Sequence, residues 1–164
     1  MRRSTMSRTS EELRVLRDSA ALLVGRYASP HLSVDASKII AIAVAAGREI
    51  MAVASDDAAN WGATRKADDS PLTLADLRAN AVIVESLRAE FPAVPIVSEE
   101  EASPPWSERQ RYSHFWCVDP LDGTKEFIAR NGQFTVNIAL CLAGDAGRVS
   151  PLAAVRCFIF HYIM

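Results

Sequence analysis

Sulfur is scarce in this chain. Its three cysteines among 164 residues, Cys117, Cys141 and Cys157, are odd in number, and none stands in C-x-x-C spacing. That argues against a disulfide framework and for a reduced, cytoplasmic setting. Charge of one sign is not in excess either. With 18 basic and 20 acidic residues the formal net charge is -2, which gives no bulk attraction to a nucleic-acid polymer. No apolar run reaches the roughly 18 residues that a membrane span needs, and neither an internal repeat nor a low-complexity tract is present. What the chain does hold is hydrophobic mass, 49% of its residues, at a length sufficient for one well-formed core. The first ten residues carry three arginines and no acid, faintly like an organelle transit peptide. Glu11, Glu12 and Asp18 dilute that pattern, and an exposed N-terminal tail is the expectation.

Hydrophobic spacing places the elements. Leu13, Leu16, Ala20 and Leu23 predict an amphipathic helix over 11 to 26, closed by Pro30. Ser33 or Asp35 can cap a second helix running to about Val53, with Ile39, Ile40, Ala43, Ala46 and Ile50 facing a core. Thr73 and Asp76 stand at capping-box spacing. The helix they open is expected to bury Leu77, Ala81, Val84, Leu87 and Phe91 and to end before Pro92. Short apolar runs at Pro95–Val97 and Phe115–Val118 read as strands, the second ended by Pro120, which cannot pair in a ladder. After the Asn131-Gly132 turn, Phe134, Val136, Ile138 and Leu140 alternate with Thr135, Asn137 and Ala139, as in a strand with one buried face. The expected class is α+β, helices layered on an antiparallel-type sheet.

Residues 117 to 127 read CVDPLDGTKEF, so two aspartates flank a proline turn at the end of a strand. Carboxylates about 4 Å apart repel by roughly 4 kcal/mol at an effective dielectric near 20, and something must offset that. Asp119 and Asp122 can merely bond backbone amides as an Asx-turn does, or they can hold a hard divalent cation. The run Glu99-Glu100-Glu101 reads as a solvated surface by itself, and Asp76 as a helix cap. If the two strands are neighbours, however, Glu99, Asp119 and Asp122 converge at one edge. Gly123 and Thr124 then start the next helix, where backbone amides can receive phosphate.

These strings carry a resemblance. Asp119-Pro-Leu-Asp-Gly-Thr124, preceded by Ser98-Glu99-Glu100 and by Ser70-Pro71-Leu-Thr73-x-x-Asp76, resembles the magnesium-dependent, lithium-sensitive phosphatases of the inositol monophosphatase superfamily. The continuation Lys125-Glu126-Phe127, with Lys66-Ala-Asp68 upstream, is similar to the 3'(2'),5'-bisphosphate nucleotidase branch, whereas inositol monophosphatases more typically continue Thr-Asn-Phe. The resemblance spans roughly residues 36 to 155. It implies that Glu99, Asp119, the Leu121 carbonyl and Asp122 bind Mg2+, with Asp119 bridging two ions. It also implies that Asp76 and Thr124 orient and activate the attacking water. Glu99, Leu121, Asp122, Gly123 and Thr124 would contact the substrate, a small phosphate ester, with 3'-phosphoadenosine 5'-phosphate hydrolysed to AMP and phosphate. An inositol or sugar monophosphatase and a catalytically inactive metal- or phosphate-binding remnant are the alternatives.

The resemblance further implies a division into an N-terminal extension over 1–32, the first domain of the sugar-phosphatase fold over 33–155, and a divergent apolar tail over 156–164. The family's second domain, with one more aspartate ligand, would be missing, making the chain a fragment whose tail favours self-association. Leu152–Val155 is expected to be the next core strand. His31, His114 and His161 have no partner in sequence and are read as incidental.

Overall fold

A computed structural model of the chain describes residues 26–29, 32–143 and 149–158. The helix expected over 11 to 26 lies outside these residues, apart from Arg26, which begins a strand; His31, Pro30 and residues 159 to 164 of the expected tail lie outside them as well. Two short strands, β1 (Arg26–Ser29) and β2 (Leu32–Asp35), pair as an antiparallel hairpin ahead of the first helix. Leu32, the last residue of the expected extension, begins β2.

Helix α1 (Ala36–Ala54) starts where Asp35, one of the two expected caps, accepts the Ser37 amide at 2.9 Å. A second small hairpin, β3 (Thr64–Arg65) with β4 (Pro71–Leu72), leads into α2 (Leu74–Glu90). Strand β5 (Ile96–Ser98), the single-turn helix α3 (Trp106–Arg109) and strand β6 (His114–Asp122) follow. Helix α4 (Thr124–Ile128) and strands β7 (Thr135–Ala143) and β8 (Val149–Phe158) complete the described chain.

The main sheet has the order β5-β6-β7-β8. Its pairs are antiparallel except β5 with β6, which run parallel with Ser98 opposite Val118. Helix α1 lies on β7 and β8, α2 lies on β5 and β6, and the two helices pack on each other. Ala43, Ala46 and Ile50 of α1 and Ala75, Ala79, Ile83 and Leu87 of α2 are wholly enclosed. Trp116, Val118, Val136, Ile138, Leu140 and Val155 cover the sheet side of the same core.

Three expectations are corrected. Leu77 is 45% exposed, and Ala81 is exposed as well, because α2 turns Asp76, Ala79, Asn80, Ile83, Val84 and Leu87 inward. Adjacent positions on a helix lie about 100° apart, so burying Asp76 swings Leu77 out. Pro120 does not end its strand. Pairing passes from Asp119–Asn137 to Asp122–Thr135, so Pro120 and Leu121 on β6 stand against Val136 on β7, which is a one-residue bulge at the proline. Finally, the boundary expected after Val155 falls inside β8, where Cys157 is buried against the core and not part of an exposed tail.

Candidate active site

The bulge decides the geometry of the two aspartates. In a regular strand, residues three apart point to opposite faces. One extra residue in β6 restores the phase, so Asp119 and Asp122 share a side of the sheet. The parallel neighbour then supplies the third carboxylate. Glu99 follows β5 directly and donates its amide to the Val118 carbonyl at 3.0 Å, which sets it beside Asp119. The conditional expectation that the strands are neighbours is met, and Glu99, Asp119 and Asp122 lie at one edge.

Asp119 meets the Asx-turn reading too, since its Oδ1 accepts the Leu121 amide at 3.2 Å. Burial, then the charges of Glu99 and Asp122, push its carboxyl up to about 7. The other two carboxylates are relieved by the protein's own cations. Lys66 Nζ donates to Glu99 at 2.9 Å and to Glu100 at 2.8 Å. Arg156 Nη2 donates to Asp122 Oδ2 at 2.9 Å, and Asn137 Nδ2 donates to the same oxygen at 3.1 Å. Glu100 is the enclosed member of the glutamate run, its side chain 4% exposed against 51% for Glu99. Burial pushes its carboxyl up, against the hydrogen bond from Lys66. Burial acts to lower the Lys66 ammonium, but the two glutamates outweigh it and hold that group well above the ordinary lysine range.

A second constellation joins the first from α2. Asp76 is fully enclosed at the helix start, where its Oδ2 accepts the Thr73 amide at 2.7 Å and the Thr73 hydroxyl at 2.6 Å. Thr73 Oγ1 in turn accepts the Ala75 amide at 3.2 Å, the reciprocal arrangement of a capping box. The other oxygen is not spent on the cap. Asp76 Oδ1 accepts the Thr124 hydroxyl at 2.9 Å, across 48 residues of sequence. Leu121 O lies 3.2 Å from the same hydroxyl, so one proton serves two acceptors and the charged one is nearer. The capping and site readings of Asp76 are thus compatible.

Gly123 holds this corner together. Its φ of 100° is open to glycine and strained for other residues, and an added Cβ would stand 2.9 Å from the Gln133 carbonyl. Behind it, Phe127 packs on Trp61 at 4.7 Å and on Phe134 at 5.4 Å, anchoring α4. Gly123→Ala is expected to destabilise the fold by about 2 kcal/mol, measurable as a lower urea midpoint with unchanged slope.

All the residues expected at the site therefore come together in two touching groups. Four others were not foreseen: Lys66, Glu100, Asn137 and Arg156. Lys66 stands in the string that carried the resemblance, but nothing in the sequence pairs it with the glutamates 33 and 34 positions on. His114 begins β6, where its Nδ1 lies 3.2 Å from Ser113 Oγ, at the end of the strand away from this edge.

The donor set suits a hard divalent cation: carboxylates of Glu99, Asp119 and Asp122 and the Leu121 carbonyl, all oxygen. Asp119, half-buried and pushed toward neutrality by its neighbours, is where added positive charge would be most stabilising. Among the described residues, no three acidic, histidine or cysteine side chains are already drawn into a metal cage, in keeping with Glu99 and Asp122 being turned to Lys66 and Arg156.

Comparison with known proteins bears on the same stretch. Residues 32–152 match the inositol monophosphatase family. Over 99 residues the chain is 54% identical to the 3'(2'),5'-bisphosphate nucleotidase CysQ of Salmonella typhimurium, covering 60% of this chain and 39% of that one. The crystal structure of CysQ from Bacteroides thetaiotaomicron, a bacterial member of the inositol monophosphatase family, aligns with TM-score 0.59 and 39% identity over 75% of this chain and 41% of that one. An IMPase/NADP phosphatase crystallised with Mg2+ and phosphate aligns with TM-score 0.56 over 76% of this chain and 42% of that one; at 18% identity the likeness is one of fold. The chain spans about two fifths of the length of these relatives. Members of the matched family are metal-dependent phosphatases acting on small phosphate esters. A match over most of the chain, with the fold and the order of the motifs in agreement, gives the conclusion that this chain belongs to the inositol monophosphatase family.

Proposed function

We propose that this stretch supplies the metal- and phosphate-handling part of a magnesium-dependent 3'(2'),5'-bisphosphate nucleotidase, which hydrolyses 3'-phosphoadenosine 5'-phosphate to AMP and phosphate. The observation that carries it is the contact of Thr124 Oγ1 with Asp76 Oδ1 at 2.9 Å beside the Asp119–Asp122 bulge. That contact gives a proton-accepting pair at the edge of a carboxylate cluster. Glu99, Asp119, the Leu121 carbonyl and Asp122 would hold Mg2+, whose charge, once bound, favours both the attacking and the leaving oxygen of an in-line displacement. Thr124 Oγ1 orients the attacking water and Asp76 accepts its proton through that hydroxyl. Gly123 and Thr124 receive the phosphate, and the φ of 100° at Gly123, a conformation that favours glycine, sets the turn that presents them. The new bond joins water oxygen to phosphorus, the bond from phosphorus to the 3'-oxygen breaks, and that oxygen takes a proton from solvent water as the hydroxyl of AMP.

The branch is supported by Lys125-Glu126-Phe127 after the Gly123-Thr124 corner and by 54% identity to a nucleotidase. A hybrid chain tests it, in which residues 32–152 replace the matching stretch of the Salmonella typhimurium relative. It is expected to release phosphate from 3'-phosphoadenosine 5'-phosphate with kcat/KM at least about 100-fold above that for inositol 1-phosphate, a floor well below what a site built for polar contacts can discriminate. Preference for the inositol ester would move the chain to the other branch. A folded, magnesium-binding hybrid idle on both esters would favour the inactive-remnant reading.

A further inference from the structure

The oxygen of Asp122 that faces β8 belongs to a closed ring of side chains from three strands. Arg156 Nη2 and Asn137 Nδ2 both donate to Asp122 Oδ2, at 2.9 and 3.1 Å. Arg156 Nε donates to Thr135 Oγ1 at 3.4 Å, and Thr135 Oγ1 donates to Asn137 Oδ1 at 3.2 Å. The strand register builds this ring, since Asn137 stands opposite Asp119 on one side and opposite Arg156 on the other. Three members of the ring, Asp122, Thr135 and Arg156, line a cavity of about 530 Å3 together with Gly123, Glu126 and Gln133, so the ion pair stands open to solutes. Arg156 lies beyond residues 32–152, the stretch that matches the family.

Two donors on one carboxylate oxygen have different consequences for a cation arriving at that carboxylate. The amide of Asn137 is neutral: it fixes the direction of Asp122 and leaves its charge available. The guanidinium of Arg156 is permanently charged, so it already satisfies Asp122 and repels a further cation. We propose that Arg156 is a built-in counter-ion of Asp122, competing with the divalent cation for that carboxylate and raising the cation concentration at which the site loads, while Asn137 is the positioning residue. The proposal rests on the metal reading of Asp119 and Asp122.

Both members of the ion pair reach solvent, with side chains 59% and 44% exposed, which bounds the effect to the range of exposed pairs. The test is calorimetric titration of the purified protein with magnesium chloride, alongside thermal melts to verify folding. Arg156→Gln, which keeps a donor and loses the charge, is expected to bind magnesium about two- to five-fold tighter. Arg156→Ser, a second neutral variant, should tighten it likewise, and Arg156→Lys should stay within about two-fold of the unaltered protein because the charge remains. Asn137→Ala should weaken binding, and added sodium chloride should shrink the Arg156→Gln difference by screening. Neutral variants that bind magnesium no more tightly, or more weakly, than the unaltered protein would overturn the counter-ion role while leaving the metal site standing. No magnesium binding in the unaltered protein would overturn both.

Discussion

Asp119→Asn is expected to weaken magnesium binding by at least about 100-fold and to lower turnover of the hybrid enzyme by roughly 1000-fold. Asparagine keeps the shape of the side chain and can still accept the Leu121 amide, which aspartate accepts at 3.2 Å. The bulge and the strand pairing should therefore survive. What goes is the charge, at the carboxylate that burial, Glu99 and Asp122 already push up to about 7. Removing it relieves crowding in the metal-free protein, so the melting temperature without magnesium should hold or rise while binding collapses. Loss of function by unfolding would move both in the same direction. Calorimetry and melting of one variant thus separate the metal role from the turn role, and unchanged magnesium affinity would return Asp119 to the turn.

Asp76→Asn makes the second large effect. The residue is wholly enclosed and each of its oxygens has a job. One caps α2 through Thr73 at 2.7 and 2.6 Å, and the other faces Thr124 at 2.9 Å. An asparagine whose carbonyl takes the capping side preserves the helix start. Its amide would then donate to Thr124 Oγ1, and the threonine proton can turn to the Leu121 carbonyl, 3.2 Å away. The structural cost should be about 1 kcal/mol, a hydrogen-bond exchange. Turnover of the hybrid should nonetheless fall by about 100- to 10,000-fold, since asparagine cannot accept the proton that Asp76 would take through Thr124. Asp76→Ala, by contrast, leaves the Thr73 amide buried without an acceptor and should cost about 3 kcal/mol as well as activity. If Asp76→Asn retained most of the activity, the residue would be a cap and nothing more.

Local chemistry made much of this site legible in the sequence. Asp35 and Thr73 declare their helices because capping is a matter of residues two or three apart. The alternation from Phe134 to Leu140 declares β7 because one face is apolar. Where polar residues are buried, the same reasoning fails. Asp76 and Asn80 face inward on α2, Asn80 to bond Ser98 at 2.6 Å, so the expected apolar stripe holds at Val84, Leu87 and Phe91 but is turned by one position at Leu77 and Ala81. Pro120 reads as a strand terminator because the bulge that accommodates it is fixed by β7, a partner further along the chain. The ion pairs of Lys66 with Glu99 and Glu100, and of Arg156 with Asp122, follow no period and arise only once the sheet has assembled.

The most direct measurement is a crystal structure of the protein grown with manganese, a divalent ion that suits oxygen ligands and whose anomalous scattering locates it without assumption. The predicted result is a manganese peak about 2 Å from carboxylate oxygens of Asp119 and Asp122 and from the Leu121 carbonyl, with Glu99 swung from Lys66 toward the cluster. Crystals soaked in millimolar manganese that show no peak at the bulge, with Asp119 still accepting the Leu121 amide and Asp122 still held by Arg156 and Asn137, would contradict the account.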